Sequence, residues 1–386
     1  MQRLVVTRGA RSAACGVLAA CAAWSFAAPT ARADSFSSGV FVHTDSDRTV
    51  VVSPRVHIDQ SAGEATNIDL TYAADVWTSA SVDIRASASL PVTEQRDEID
   101  VNVTHEATDL TLSGGYRYSV ENDYVSHGGS AGLALDLADH NSTIALSGYA
   151  FGDTVGRAGA PQIARGLVTV GSRLSFTQVL GRATLAQLAY EFGHLQGYQA
   201  SPYRWVGFGG TGFGCEMNPD SRGTNSVPIP CLPEHVPDQR VRHAAAVQLR
   251  QGLSDALSVG AGYRLYLDNW GLTSHTLSAQ FGWLLADSSL LTLRYRYYRQ
   301  SGVDFYRMVY TQLSNRGVYT TRDREQSPMQ DHRIGLELEQ RIALDDHGAK
   351  FVFRLGAAGV LFSYAAFAGL SSVRALELTV AFGIER

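Results

Sequence analysis

Four histidines, His127, His243, His275 and His332, each stand near the start of a segment in which apolar and polar residues alternate. Imidazole is a common metal ligand, and such a set invites a metal site. Parity opposes one. His275 shares a face with Leu277, Ala279, Phe281 and Trp283, and His332 with Ile334, Leu336 and Leu338. His243 goes with Ala245, Val247 and Leu249, and His127 with Ala131, Leu133 and Leu135. All four lie on the apolar face of an extended strand and cannot converge on one ion across a polar interior. An outward histidine could also serve a hydrolase working at a lipid surface, which needs a hydroxyl within hydrogen-bond reach of the imidazole. The same-face residues two positions on are Gly129, Ala245, Leu277 and Ile334, and only Thr273, two before His275, offers a hydroxyl. The expectation is no catalytic residue, no metal and no cofactor, with the histidines as belt residues at the headgroup level of a membrane.

The opposite faces of the same segments carry charge. Arg117, Glu121, Glu191, Arg264, Asp268, Arg294, Arg296, Arg333 and Glu337, joined by Arg240, Arg242 and Glu339, share the polar parity. Both signs would face one interior. They could pair and rigidify a filled wall, or line an aqueous path that selects solutes by sign and size.

A third pair of reactive groups is Cys215 and Cys231, set in the stretch GFGGTGFGCEMNPDSRGTNSVPIPCLPEHVPD. In an exported chain two cysteines this close predict a disulfide, which would stabilise that loop by roughly 3 kcal/mol in the chain-entropy picture. Zinc or haem fits less well, since there is no C-x-x-C motif and only His235 is near.

The elements that must hold these residues have a period of two. In Asp109–Ser119, Leu110, Leu112, Gly114, Tyr116 and Tyr118 oppose Thr111, Ser113, Gly115, Arg117 and Ser119. The split recurs over 257–266 and 291–298, in segments of about ten residues, the length a tilted strand needs to cross a bilayer. Connections alternate between short (Ser61–Glu64, Ala107–Asp109, Ala138–Asn141, Leu180–Arg182, Ser254–Asp255, Ala286–Ser288, Leu344–Gly348) and long (Ser79–Gln95, Phe151–Ala164, Gln196–Gln239, Gln300–Gln330), with briefer members of the long set near Asp45, Asn122 and Asn269. The pattern predicts an all-β, transmembrane, antiparallel up-and-down barrel of about sixteen strands, with short periplasmic turns and long extracellular loops. Leu355–Val373 carries no charge and could be read as a spanning helix, but its glycines, serines and tyrosine favour two strands joined by a loop near Tyr364.

Ahead of the barrel, Arg3, Arg8 and Arg11 precede an apolar run ending in Ala31-Arg32-Ala33, which predicts a secretory signal over 1–33 and a barrel over 34–386. Leu18-Ala19-Ala20-Cys21 leaves open the alternative of lipidation at Cys21. Cleavage after Ala33 would remove four arginines and no acid, leaving 28 basic against 37 acidic residues. So acidic a chain offers no footprint for nucleic acid.

SGGYRYSVENDYVSHG, YQASPYRWV, VPDQRVRHA, YRLYLDNWGLTSHT, LRYRYY with the following DFY, and DREQSPMQDH together resemble a family of bacterial outer-membrane proteins described only as a domain of unknown function. The resemblance spans roughly Val40 to the end. It implies a barrel in the outer membrane and no particular activity. YRYSVENDYVSH and YRLYLDNWGLTSH are also weak echoes of one another. The motif residues fall at the predicted outer rim, so a shared role is expected there, around Asn122, Asp123, His127, Tyr203, Arg204, Asn269, Trp270 and His275. The expected role is a porin-like channel for a small solute. The alternatives are a scaffold or receptor binding an extracellular or periplasmic protein through its loops and, distantly, an interfacial hydrolase. Membrane lipids and the outer-membrane insertion machinery are the expected partners.

Overall fold

The computed structural model describes residues 35–79, 92–156, 164–201, 204–208, 231–310, 318–346, 348–367 and 370–386. The predicted signal, 1–33, lies outside them, as do Tyr203 and Cys215; Cys231 is placed in the backbone alone.

Sixteen antiparallel strands close on themselves. The first nine are β1 (Ser35–Asp45), β2 (Thr49–Ser61), β3 (Thr66–Ser79), β4 (Val92–Ala107), β5 (Leu110–Val120), β6 (Tyr124–Leu137), β7 (Ser142–Val155), β8 (Arg165–Gly181) and β9 (Thr184–Gly197). A two-stranded ribbon follows inside one loop, β10 (Trp205–Gly207) and β11 (Cys231–Pro233). The barrel resumes with β12 (Gln239–Gly252), β13 (Leu257–Asp268), β14 (Thr273–Ala286), β15 (Ser289–Gln300), β16 (Met329–Ala343), β17 (Lys350–Tyr364) and β18 (Ser372–Glu385). β18 pairs with β1, from Ser35 opposite Glu385 to Asp45 opposite Ala375, so no barrel edge is left open.

Leu355–Val373 forms the end of β17, a loop and the start of β18, and no helix among the described residues is long and apolar enough to cross a membrane. Several strands outrun the bands read from periodicity. β4 and β8 have 16 and 17 residues, and β7 continues to Val155, into what periodicity assigns to a loop. Alternation of apolar residues fades once a strand leaves the lipid, while the hydrogen-bonded ladder continues above it.

The exterior is apolar: Leu112, Tyr116, Leu133, Leu146, Leu174, Leu188, Leu277, Trp283, Ile334, Leu355 and Phe382 are all exposed. Exposed apolar surface on this scale is incompatible with water. Charged residues alternate with it on the inner face. A closed antiparallel barrel of this polarity is a protein of the bacterial outer membrane. The start of β1 and the end of β18 lie at the end of the short turns, which in such barrels is the periplasmic one.

Candidate functional site: lumen wall and outer cap

From mid-height to the outer end of the barrel the inward charges form ion pairs between adjacent strands or across one intervening strand. Arg264 on β13 donates to Glu191 on β9 at 2.8 Å, and Arg173 on β8 binds the same carboxylate. Arg294 meets Glu337 at 3.1 Å, Arg296 meets Asp331 at 2.8 Å, Arg333 meets Glu377 at 2.7 Å and Arg117 meets Asp100 at 2.8 Å. The guanidinium side chains nevertheless stay solvated: Arg264 is 41% exposed, Arg294 43%, Arg296 45% and Arg117 47%. A wall filled by its own side chains would bury them more deeply than this. The wall beside Arg294 and Arg296 holds a recess of about 290 Å³ that also takes in Gln248, Arg250, Ser278 and Gln280.

The extracellular end is built differently. Asp268, at the end of β13, does not present its charge to the lumen, because its carboxylate is fully covered. It accepts from Arg240 Nε at 2.8 Å, from Tyr266 Oη at 2.9 Å, and from the Trp270 and Leu272 amides at 2.9 and 3.1 Å. Its role is to hold the β13–β14 turn and to neutralise Arg240. Trp270 is not a rim residue open to a partner either: it is 3% exposed, stacks over the Arg240 guanidinium at 4.2 Å and donates Nε1–H to the Gln239 carbonyl at 2.9 Å. Around it pack Ala200, Val236, Leu272, Val303 and Tyr306, with Tyr198, Tyr266 and Phe305 at the margin.

Arg240 and Tyr266 share the inward parity of their strands, so this apolar cluster sits on the lumen side of the mouth. Residues of the two longest loops supply it, and those loops also bind one another. Thr321 donates to Glu234 at 2.7 Å, Arg204 meets Asp323 at 3.0 Å, and His235 and Thr320 form a β-bridge. Inward Gln300, at the end of β15, donates to the carbonyls of Glu325 and Ser327, both at 2.7 Å. Arg324 reaches Asp47 between β1 and β2, and Tyr306 donates to the Ala366 carbonyl between β17 and β18. These contacts tie the described parts of both loops into a cap at the mouth, attached from β9 round to β1.

The remaining rim residues are dispersed. Asn269 Oδ1 accepts from the Val241 amide, and Asn122 donates to Glu94 at 2.6 Å on the far side of the barrel. The Asp123 carbonyl accepts from Gly156. Glu121 follows the last residue of β5, where burial pushes its carboxyl above the usual carboxylate range against the opposing pull of Arg96. His127, His243, His275 and His332 sit on the lipid-facing side, each opposite the outward residue of its rising strand.

Periodicity did not disclose the cap residues Gln300, Glu234, Thr321 and Ser327. One local signal was available: Asp323 caps a single 3-10 turn, Arg324–Gln326, accepting from the Glu325 amide at 2.9 Å. That turn lies inside the DREQSP stretch.

The family description "Protein of unknown function (DUF3570)" matches residues 84–170 and 164–355. No curated protein matches the chain. Among solved structures, the chain is similar to a bacterial polysaccharide outer membrane secretin at 10% identity and a TM-score of 0.48, covering 92% of this chain and 99% of that one. It is also similar to the CymD monoaromatic hydrocarbon channel at 9% identity and a TM-score of 0.42, covering 92% and 89%. For Pseudomonas aeruginosa OprD the values are 8% and 0.42, with coverage of 92% and 97%. Likeness this distant assigns no solute and no activity.

Proposed function

The chain belongs to the family described as Protein of unknown function (DUF3570), and from that premise we propose that it is a solute channel of the outer membrane whose outer mouth is partly covered by its own loops. The observation that carries this reading is the exposure of the lumen-wall arginines, which stay more than two-fifths exposed although each has a carboxylate partner. Charged walls on either side of a water-filled path act on permeating solutes through sign and size.

Purified protein in planar bilayers should conduct ions. Replacing Arg294 and Arg296 by glutamine removes two positive charges from one strand and frees Glu337 and Asp331, so selectivity should move toward cations by roughly severalfold at low salt. A conducting pore of unchanged selectivity would place those side chains off the path. A folded, inserted wild type that never conducts would overturn the channel.

The pairing of the wall charges favours a second reading, a scaffold or receptor that binds through the cap. The cap offers a recess of about 530 Å³ between Trp270, Phe305, Tyr310 and Tyr319, with Asp304 and Arg307 at its edge. For either reading the disulfide between Cys215 and Cys231 is part of the proposal, since it would staple the loop that carries β10 and β11. Intact-mass measurement should show a loss of two hydrogens relative to the reduced protein. Two thiols freely alkylated before reduction would count against it.

A further inference from the structure

The outward histidines are not scattered belt residues. Tyr190 Oη lies 2.7 Å from His243 Nδ1, Tyr263 Oη 2.7 Å from His275 Nδ1, and Tyr295 Oη 2.9 Å from His332 Nδ1. Ring centroids are 6.2, 6.1 and 6.2 Å apart, with interplanar angles of 31°, 31° and 35°. In each hairpin the histidine stands opposite the residue two beyond the tyrosine: Phe192, Leu265 and Tyr297. His127 opposite Tyr118, with Tyr116 two residues back, occupies the same placement on β5 and β6. The tyrosines and histidines of the sequence echo are therefore a repeated tertiary device on the lipid face, while its arginines, Arg117 and Arg264, belong to the lumen wall.

Its depth is set along β14. Eight residues separate His275 from Trp283 on one face, roughly 20 Å along the membrane normal for a tilted strand. The apolar band of such barrels is about 25 Å tall, so the histidines stand where the acyl chains end and the outer headgroups begin. In the tautomer that carries its proton on Nε2, Nδ1 accepts from the tyrosine hydroxyl and the Nε2 proton is free to be donated outward.

Two outward arginines give this boundary charge, Arg374 on β18, opposite Leu361, and, nearer the histidines, Arg299. Arg299 on β15 is exposed and lies directly opposite His275. On its other flank it pairs with Gln330, two residues from His332. Among the described residues its guanidinium has no carboxylate or hydrogen-bond partner. β14, β15 and β16 thus carry His275, Arg299 and His332 side by side over roughly 10 Å. That is too far apart for one metal ion and suited to the several oxygens of a phosphorylated headgroup.

We propose that the outward face of β13–β16 binds a phosphate of an outer-leaflet glycolipid of the lipid A class, with Arg299 as its charge partner and His275 and His332 as flanking donors. The inference is independent of whether the lumen conducts. A cation left unpaired at a membrane boundary is stabilised by an anionic headgroup, and a guanidinium can grip phosphate oxygens with two parallel N–H groups.

Native mass spectrometry of the full chain in mild detergent, titrated with bisphosphorylated lipid A and with the same lipid after dephosphorylation, tests it. The wild type should retain the phosphorylated form at least tenfold better. Arg299→Gln should abolish most of that difference, Arg299→Lys should restore part of it, and His275→Phe with His332→Phe should reduce it by a smaller factor. Each variant is first shown to be folded by its heat-dependent shift in electrophoretic migration. Equal retention of both lipids by the wild type, or undiminished phosphate preference in folded Arg299→Gln, would overturn the proposal and leave an aromatic girdle only.

Discussion

Asp268→Asn should loosen the outer cap and raise the single-channel conductance. The substitution keeps the size of the side chain and an oxygen able to accept from the Trp270 and Leu272 amides, so the β13–β14 turn survives. What it removes is the charge facing Arg240, whose side chain is 12% exposed while Asp268 itself is wholly covered. Leaving one partner of a buried pair uncompensated costs about 3 kcal/mol or more. Arg240 can escape that cost only by moving toward water, which withdraws it from the Trp270 ring and opens the apolar cluster beneath the two long loops. Proteolysis within 300–329 should quicken by one to two orders of magnitude, and conductance should rise as the loops lift. Unchanged conductance together with faster cleavage would mean that the cap lies beside the path of ions and does not restrict it.

Gly128→Ala should impair closure of the barrel, whereas Gly152→Ala on the neighbouring strand should be tolerated. Gly128 faces inward on β6, where an added Cβ would run into the Ala150 carbonyl and the Phe151 side chain, with Phe151 Cα only 2.8 Å away. The Phe151 ring in turn lies under the Arg117 guanidinium at 5.9 Å, so the ring cannot move without disturbing the wall. Overpacking of this kind typically costs about 1–3 kcal/mol, and more when the obstacle is backbone. A Cβ on Gly152 would meet nothing within 4 Å. The folded fraction after refolding into detergent, read from heat-dependent migration, should fall severalfold for the first variant and stay near wild type for the second. Equal yields would show that β6 and β7 can separate at no cost.

Much of the barrel was legible because a bilayer makes one demand everywhere: each strand must show carbon to lipid and polar groups to the lumen. A period of two therefore assigns Leu277 and His275 to one face and Thr276 and Ser278 to the other without knowledge of the neighbours. The same reasoning put Arg264, Arg294 and Arg296 inside. It reached Asp268 as well, but only as a direction, and read as lumen charge a carboxylate that is spent on a turn and a buried arginine. Trp270 looked like a rim aromatic waiting for a partner, and the partner is the chain itself, through Val236, Val303 and Tyr306.

What the sequence determined by itself, then, is everything governed by the solvent on each side of a strand: the all-β class, the alternation of short and long connections, the outward histidines and the inward arginines. Tertiary structure decided which of these residues touch. The cap joins Arg204 to Asp323 and Asp47 to Arg324, partners far apart in a sequence where no periodicity marks a face near them, and only the closed ladder brings them together. The Tyr–His pairs likewise depend on strand register. A shift of a single residue would turn each histidine from lipid to lumen, and that register is set by turns and pairing along the whole barrel.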